Sequence, residues 1–198
     1  MKIPTGTGRF GIRRWRLEDA SPFWEAAVES VAEVSRWLPW CHPGYSLAEA
    51  EAWMLATDKG WRDGTMYDFC IHERQTGWLV GGIGLNRIDS GARMANLGYW
   101  VRTSHAGQGA ATEATRLVAR FGFDQLDLMR IELVVAVENL ASQRVAAKVG
   151  ALREGLDGDV VVVEPEPAHR GDRVAGHREA GAHLAQLGGA LEDGHAPT

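Results

Sequence analysis

The chain has 198 residues, of which 45% are hydrophobic and 24% charged, the ordinary mixture for a globular protein with one compact domain. The formal net charge of -5 argues against nucleic acid as a partner, because binding phosphate requires a basic face. The sequence shows no apolar signal region and no stretch long enough to span a membrane, so we expect a cytoplasmic protein without a membrane partner.

The first half of the chain predicts one strand, two helices and three further strands. Phe10–Leu17 alternates apolar and charged residues, as a half-buried strand does. Apolar residues at helical spacing predict a first helix over Pro22–Ser35. A capping box formed by Ser46 and Glu49 starts a second helix, which runs to about Lys59. Period-two patterns then predict strands over Met66–His72, Trp78–Leu85 and Ala95–Val101.

The second half alternates helices with strands. A helix over Ala110–Leu126 has its apolar residues on one face, and Arg130–Val137 has the apolar run of a buried strand. A shorter helix over Ala141–Val149 ends at Gly150, a residue suited to the C′ position, and Val160–Val163 is a short last strand. This order predicts an α+β fold with a mixed, mostly antiparallel central sheet flanked by helices.

The composition changes near residue 164, so we divide the chain into a domain over 1–163 and an atypical Ala/Gly/His-rich tail over 164–198. Every aromatic Trp, Phe and Tyr residue lies at or before Phe123. Irregular spacing and the absence of companion cysteines argue against a metal site at the four tail histidines, which are His169, His177, His183 and His195. A solvated tail and a frame shift in a GC-rich gene are the two other interpretations.

The most informative segment is the turn and helix start at Ser104–Glu113, SHAGQGAATE. Gly107 and Gly109 let the backbone turn so that successive N–H groups point the same way. Together with the unpaired donors of a helix N-terminus, these groups form an anion site suited to a pyrophosphate. A turn that merely reverses the chain is the alternative. The segment does not match the dinucleotide fingerprint, because Thr112 stands where the third glycine belongs.

Three segments together resemble a known family. They are Trp37–Trp40 (WLPW), Gly98–Ala114 (GYWVRTSHAGQGAATEA), and Arg130–Gly150, which contains ENLASQR. In their order and separation they resemble the GNAT acetyltransferases, and within them the Rim-type branch that acetylates N-terminal amines of ribosomal proteins. The resemblance covers roughly residues 8–163.

The resemblance implies transfer of an acetyl group from acetyl-CoA to a primary amine, most directly the N-terminal α-amine of a protein. It places the pyrophosphate on the backbone amides of Gly107, Gln108, Gly109, Ala110 and Ala111. The strand end formed by Tyr99, Trp100 and Val101 would splay from its neighbour and pair with the pantetheine arm. Asn139 would contact that arm, and Ser142 would lie near the thiol as the catalytic partner of the leaving thiolate. Capping of the helix that begins near Ala141 is the alternative for Asn139, and an ordinary first-turn position is the alternative for Ser142. The oxyanion donor would be the backbone N–H of Val101 or Arg102. No metal is implied.

The acceptor site is the part that the sequence describes least. The resemblance suggests that Trp37 and Trp40 wall this site, and Asn86 is a further candidate contact; ordinary packing is the alternative for each. No general base stands out, because several polar residues on the predicted central strands could relay the amine proton. These are Asp68, His72, Glu73 and Asn86.

One departure from the family pattern leaves alternatives open. Ala106 stands where the family usually has Arg or Gln, so one phosphate contact is missing, and His105 or Arg102 could replace it. A small-molecule amine acetyltransferase acting on an antibiotic or polyamine, a non-catalytic acyl-CoA-binding paralogue, and an α+β interaction module that binds no CoA are therefore retained. A homodimer is a further expectation.

Overall fold

The structure, a computed structural model, describes residues 1–154 and the backbone of residues 160–163. The sequence predictions for the tail over 164–198, including those for its four histidines, lie outside the described residues. None of the described helices is both long and apolar enough to cross a membrane.

Within the described residues, the strands form one mixed sheet in the order β1-β2-β3-β4-β5-β7-β6. The strands are β1 Phe10–Arg14, β2 Tyr67–Glu73, β3 Leu79–Asp89, β4 Met94–Val101, β5 Arg130–Val134, β6 Leu152–Glu154 and β7 Val160–Val163. The helices are α1 Ala20–Val34, α2 Leu47–Asp63, α3 Ala110–Leu126 and α4 Leu140–Lys148, with 3-10 turns at Leu17–Asp19 and Thr103–His105. Strands β4 and β5 pair in parallel and the other neighbours are antiparallel, which confirms the predicted α+β class.

Four strand predictions need correction. β3 runs to Asp89 and not only to Leu85, because its pairing with β4 continues past an irregularity between Asn86 and Asp89. β1 ends at Arg14 and not at Leu17, because the buried Asp19 carboxylate accepts the N–H of Arg16 at 2.8 Å and folds this segment into a turn. β5 ends at Val134 and not at Val137, because the chain turns there towards α4. Strand β6 was missed, since its three exposed residues carry no apolar pattern.

The sheet separates two clusters of buried side chains. One face packs against α3, where Phe69 and Phe121 meet edge to face with ring centroids 5.2 Å apart. The other face packs against α1, where Phe23 and Trp100 meet in the same way, also at 5.2 Å. Because side chains alternate along a strand, Phe69 belongs to the first cluster and the next residue, Cys70, to the second.

Candidate functional site

The turn before α3 holds two glycines in the left-handed region. Gly107 has φ 75° and Gly109, the N-cap of α3, has φ 93°. A Cβ at either position would meet nothing within 4 Å, so the backbone conformation and not the available space requires glycine here. The N–H of Glu113 makes the first helical bond, to the carbonyl of Gly109. The preceding N–H groups at the start of α3 have no acceptor within the helix and remain available to an anion.

The segment before this turn is tied to α1. The Glu29 carboxylate accepts from the guanidinium Nε of Arg102 at 3.0 Å and from the Ser104 N–H at 2.8 Å. These bonds lower the pKa of Glu29 to about 2. Since Arg102 is buried and already paired, it cannot replace the phosphate contact that Ala106 lacks, and that interpretation is wrong. His105 does line the cleft described below.

Strands β4 and β5 diverge, which confirms the predicted splay. Their parallel pairing covers only Met94–Asn96, so a wedge opens beside the rest of β4. On the other side, the N–H of Arg102 donates to the Val80 carbonyl at 2.8 Å. Because hydrogen-bonded pairs alternate in an antiparallel ladder, the backbone groups of Tyr99 and Val101 point away from β3 into the wedge. Arg102 is therefore excluded as the oxyanion donor, and the Val101 N–H is left available.

The wedge is part of a cleft of about 440 Å³ between β4, the start of α3 and α4. Nine of the predicted residues line it: Tyr99, Trp100, Val101, Gly107, Gly109, Ala110, Ala111, Asn139 and Ser142. Trp37, expected at the acceptor site, also lies here, beyond the end of α1. The side chain of Gln108 points elsewhere, because it accepts from Arg9 at 2.9 Å and donates to the Ser104 carbonyl at 3.0 Å.

Three polar side chains line the cleft where β4 approaches the start of α4: Tyr99, Asn139 and Ser142. Asn139 caps α4 by accepting the N–H of Ser142 at 3.0 Å, which leaves the carboxamide NH₂ of Asn139 outside that cap. The Tyr99 hydroxyl is buried and makes no hydrogen bond within the part of the chain that the structure describes. Burial raises the pKa of Tyr99, and the nearby Ser142 hydroxyl opposes part of that rise. Both hydroxyls therefore remain available to a ligand.

The sequence interpretation missed two cations on the cleft wall. Arg144 and Lys148 line the cleft together with Ala141 and Val145. These four positions have i, i+3, i+4 and i+7 spacing, which places them on one face of α4. That spacing is the signal from which they could have been found. Two cations beside an anion-binding turn favour a ligand with several negative charges.

A second cavity of about 280 Å³ lies on the α1 face of the sheet. It contains Trp40 and Asn86, both predicted as acceptor contacts. Its aromatic walls are Trp15, Phe23, Trp40, Tyr45, Trp53, Tyr99 and Trp100. The residues that it shares with the first cleft are Leu38, Gly98, Tyr99 and Trp100. The two spaces thus meet at the divergent end of β4.

Of the four candidates for the proton route, Asp68 and Asn86 line the second cavity. Glu73 instead pairs with Arg9 at 2.7 Å. His72 lies on β2 opposite Gly11, with its ring against that glycine, and lines neither space. The Oδ2 atom of Asp68 is buried and has no hydrogen-bond partner among the residues that the structure describes. Burial raises the pKa of this carboxyl to about 7. Among the described residues, no group of three or more His, Cys, Asp or Glu side chains could hold a metal ion.

The sequence of this chain is similar to those of known acetyltransferases. Residues 9–152 match the family model described as the acetyltransferase (GNAT) domain. The chain is 29% identical over 159 residues to YdaF of Bacillus subtilis, named as a candidate ribosomal N-acetyltransferase; the match covers 77% of this chain and 82% of YdaF.

Two solved structures share the fold. The structure of a candidate ribosomal-protein-serine acetyltransferase from Vibrio cholerae has a TM-score of 0.71 and 31% identity, over 81% of this chain and 96% of that one. The structure of RimJ from Mycobacterium smegmatis, solved in complex with CoA-disulfide, has a TM-score of 0.70 and 28% identity, over 79% of this chain and 82% of that one.

Proposed function

Because the chain belongs to the GNAT acetyltransferase family, and is thus an acetyl-CoA-dependent N-acetyltransferase, we propose that its acceptor is the N-terminal α-amine of a protein. One observation carries the proposal: an anion-binding cleft and an aromatic, acidic cavity meet at Gly98–Trp100. An acyl donor in the first space and an amine in the second would meet there. The names of YdaF and of the Vibrio cholerae protein, both ribosomal acetyltransferases, support a protein acceptor.

The first cleft suits acetyl-CoA, the co-substrate of this family. We assign the pyrophosphate to the backbone N–H groups of Gly107–Ala111 and the remaining phosphate charge to Arg144 and Lys148. The outward backbone groups of Tyr99 and Val101 can pair with the amides of the pantetheine arm as an added strand would.

The chemistry requires a donor for the carbonyl oxygen and a partner for the leaving sulfur. We assign the first role to the Val101 N–H, which lies in the wedge. Ser142 is assigned the second role, because its hydroxyl lines the cleft near the buried Tyr99 hydroxyl. Replacing Ser142 by alanine is therefore expected to lower kcat while leaving acetyl-CoA affinity unchanged.

The second cavity suits an amine that carries no other charge. Trp40 and Asn86 are assigned to the acceptor, whereas Trp37 lines the donor cleft and is assigned there. Among the described residues that line this cavity there is no Lys or Arg, and Asp68 is the carboxylate. A cationic amine whose neighbouring carbonyl belongs to a peptide bond, as in a protein N-terminus, is compatible with this lining.

A thiol-release assay with acetyl-CoA tests the proposal. Acceptors are peptides with a free N-terminal Ser or Ala, the same peptides with blocked N-termini as matched controls, and a panel of small amines that includes polyamines. We expect turnover on the free peptides alone. Turnover on small amines without turnover on peptides would identify a small-molecule acetyltransferase. Acetyl-CoA binding without turnover on any amine would identify a binding protein.

A further inference from the structure

We propose that Asp68 binds the ammonium group of the acceptor in the second cavity and takes the proton that the amine must lose before acetyl transfer. This inference rests on the proposed function, since it requires that the acceptor enters this cavity. Three features of the cavity carry it: the strip of sheet beside Asp68, the unpartnered carboxylate oxygen, and the aromatic walls.

A strip without other side chains runs from Asp68 to the donor cleft. Asp68 lies opposite Gly84 on β3, and Gly84 lies opposite Gly98 on β4. The Asp68 carboxylate lies over Gly84, so close that a Cβ there could not coexist with its Oδ1 atom. At Gly98 a Cβ would meet nothing within 4 Å. Because neighbouring strands are about 4.8 Å apart, the carboxylate over Gly84 lies about one strand spacing from the space above Gly98. An amine nitrogen above Gly98 would therefore lie near both the carboxylate and the first cleft.

Other residues border this strip. Asn86 and Asn96 form the next pair along the ladder, where the Asn96 carboxamide donates to that of Asn86 at 2.9 Å. The pair on the opposite border is Gly82 and Trp100, and Trp100 lines both spaces. The strip is therefore a channel along the sheet, with a carboxylate at one end and the divergent end of β4 at the other.

Among the described residues, no charged group pairs with the Asp68 carboxylate. Tyr45 and Tyr99 are the other ionisable groups in the cavity lining among the described residues. Burial raises the pKa of Tyr45 to about 12 and also raises the pKa of Tyr99, so both stay neutral. Cys70, two residues along on the same sheet face, is likewise neutral because burial raises its pKa to about 12. The guanidinium on this face of the sheet is that of Arg13, which lies opposite Cys70 and pairs with Asp19 at 2.6 Å. An ammonium group would supply the missing partner.

The aromatic walls favour a cation in the same place. Phe23, Trp40 and Trp100 are packed edge to face or tilted with centroids 5.2 to 5.6 Å apart, so the wall is rigid. Faces of aromatic rings attract cations, and the attraction grows when water is excluded. An apolar wall with one carboxylate at its end thus selects a group that is cationic on binding and becomes neutral once its proton has left.

Acetyl transfer with Asp68 as the base conserves atoms and charge. The ionised Asp68 carboxylate takes one proton from the ammonium, and the freed nitrogen lone pair forms the N–C bond to the acetyl carbonyl carbon. The C–S bond of the thioester breaks, and its electron pair stays on sulfur. The second nitrogen proton ends on that sulfur as the thiol forms. Asp68 then passes its proton to solvent, so one proton is released for each ammonium acetylated.

The sign of the pH effect on stability follows from burial. Burial raises the pKa of Asp68 from its ordinary 3.8 to about 7. A carboxyl whose pKa is higher in the folded protein than in the unfolded chain destabilises the fold as pH rises between those values, because a buried group must ionise. Asp68→Asn removes this cost. The melting temperature of the variant should therefore exceed that of the wild type at pH 8, and the difference should shrink towards pH 5.

The kinetic test compares Asp68→Asn with Asp124→Asn, a change of the same kind on α3, where Asp124 pairs loosely with Arg120 at 3.7 Å. At pH 7, loss of a general base should lower kcat/KM on a Ser-peptide by about 100-fold or more. At pH 9 most of the peptide amine is neutral, since its pKa is about 8, and the deficit should shrink. A purely structural role for Asp68 predicts a deficit that does not depend on pH.

The outcomes separate the two proposals. An active wild type with an undiminished Asp68→Asn variant, or a deficit that is equal at pH 7 and pH 9, overturns the role of Asp68 and leaves the proposed function standing. A wild type without turnover on any amine overturns the proposed function itself. The titration of Asp68, followed by carboxyl ¹³C NMR with Asp68→Asn as the assignment control, gives a result independent of turnover. A titration near pH 4 contradicts the proposal.

Discussion

Asp68 faces Gly84 across the β2–β3 ladder, and its carboxylate occupies the space in which a Cβ at position 84 would stand. The glycine and the acid are therefore a matched pair. The backbone at Gly84 has no positive φ, so here it is the space and not the conformation that requires glycine. Glycine lets the carboxylate lie over position 84 of the sheet.

Replacing Gly84 by alanine should displace the Asp68 carboxylate. We expect the free energy of unfolding to fall by about 1–3 kcal/mol, as for other overpacked sites, and acetylation to fall with it. Denaturant unfolding and the thiol-release assay measure both. In an Asp68→Ala background the same replacement should cost less, since the clash is gone. Equal costs in both backgrounds would contradict the pairing. Gly91→Ala, in the exposed β3–β4 turn, is the control.

Replacing Gly109 by alanine should weaken acetyl-CoA binding. The φ of 93° strains any residue with a Cβ, at a cost of about 1–3 kcal/mol, and relaxing that strain turns the N–H groups of the cradle away from the phosphates. Gly77→Ala is a matched control, because Gly77 has φ 73° and an equally open environment in the β2–β3 turn.

Both variants should lose similar stability without ligand. With acetyl-CoA at a hundredfold excess over Kd, the wild type and Gly77→Ala should gain about 2.7 kcal/mol, and Gly109→Ala clearly less at the same concentration. Calorimetry or thermal shift measures the difference. Equal ligand stabilisation of the two variants would place the anion site elsewhere.

Replacing Glu29 by glutamine should loosen the segment that precedes the glycine turn. Arg102 would lose its counter-charge and Ser104 a strong acceptor, at a cost of about 1 kcal/mol because solvent reaches Glu29. Since the pKa of Glu29 is lowered to about 2, its contribution is complete above about pH 4.5 and is lost as pH falls towards 2. Acid unfolding of Glu29→Gln, compared with that of Glu25→Gln at an exposed site on the same helix, measures the contribution of Glu29. A variant as acid-resistant as that control would show that the tether contributes nothing.

Free amino acids should be poor acceptors compared with peptides. Among the described lining residues of the second cavity, Asp68 supplies a negative charge and no Lys or Arg is available for a second carboxylate. The α-carboxylate of free alanine would lie next to Asp68, and like charges repel strongly where water is excluded. A comparison of kcat/KM for free alanine, alanine amide and an Ala-peptide checks this. The kcat/KM of alanine amide should lie between those of free alanine and the Ala-peptide. Equal values for free and amidated alanine would contradict the proposed charge repulsion.

Much of the fold was open to prediction because its signals are local. The capping box of Ser46 and Glu49 forms as expected, with the Ser46 hydroxyl accepting the Glu49 N–H and the Glu49 carboxylate accepting the Ser46 N–H. Helix α3 begins and ends at the predicted residues, Ala110 and Leu126. Caps and helical periods depend on residues within one or two turns of one another, so the order of residues is enough to specify them.

The ends of strands and helices were harder to predict from the sequence. The alternation that extends Phe10–Arg14 to Leu17 is real in the sequence, yet Asp19 and Arg13 form a two-pronged ion pair that turns the chain. Asn139 shows the opposite case, since the cap of α4 was foreseen as one of its two roles. In the first case the Arg13–Asp19 ion pair overrode the strand pattern. In the second case no other contact among the described residues competed with the helix cap.

What the sequence by itself determined is the family, the class of fold and the glycine turn at Ser104–Glu113, each a matter of residues near one another in the chain. Only the tertiary structure determined the second cavity, to which we assign the acceptor. Asp68 and Gly98 are 30 positions apart, and the register of two strand pairings brings them to one strip. The same holds for Trp37, which the fold places in the first cleft and not in the second cavity. Register is set by the packing of whole strands against α1 and α3, and no short segment records it.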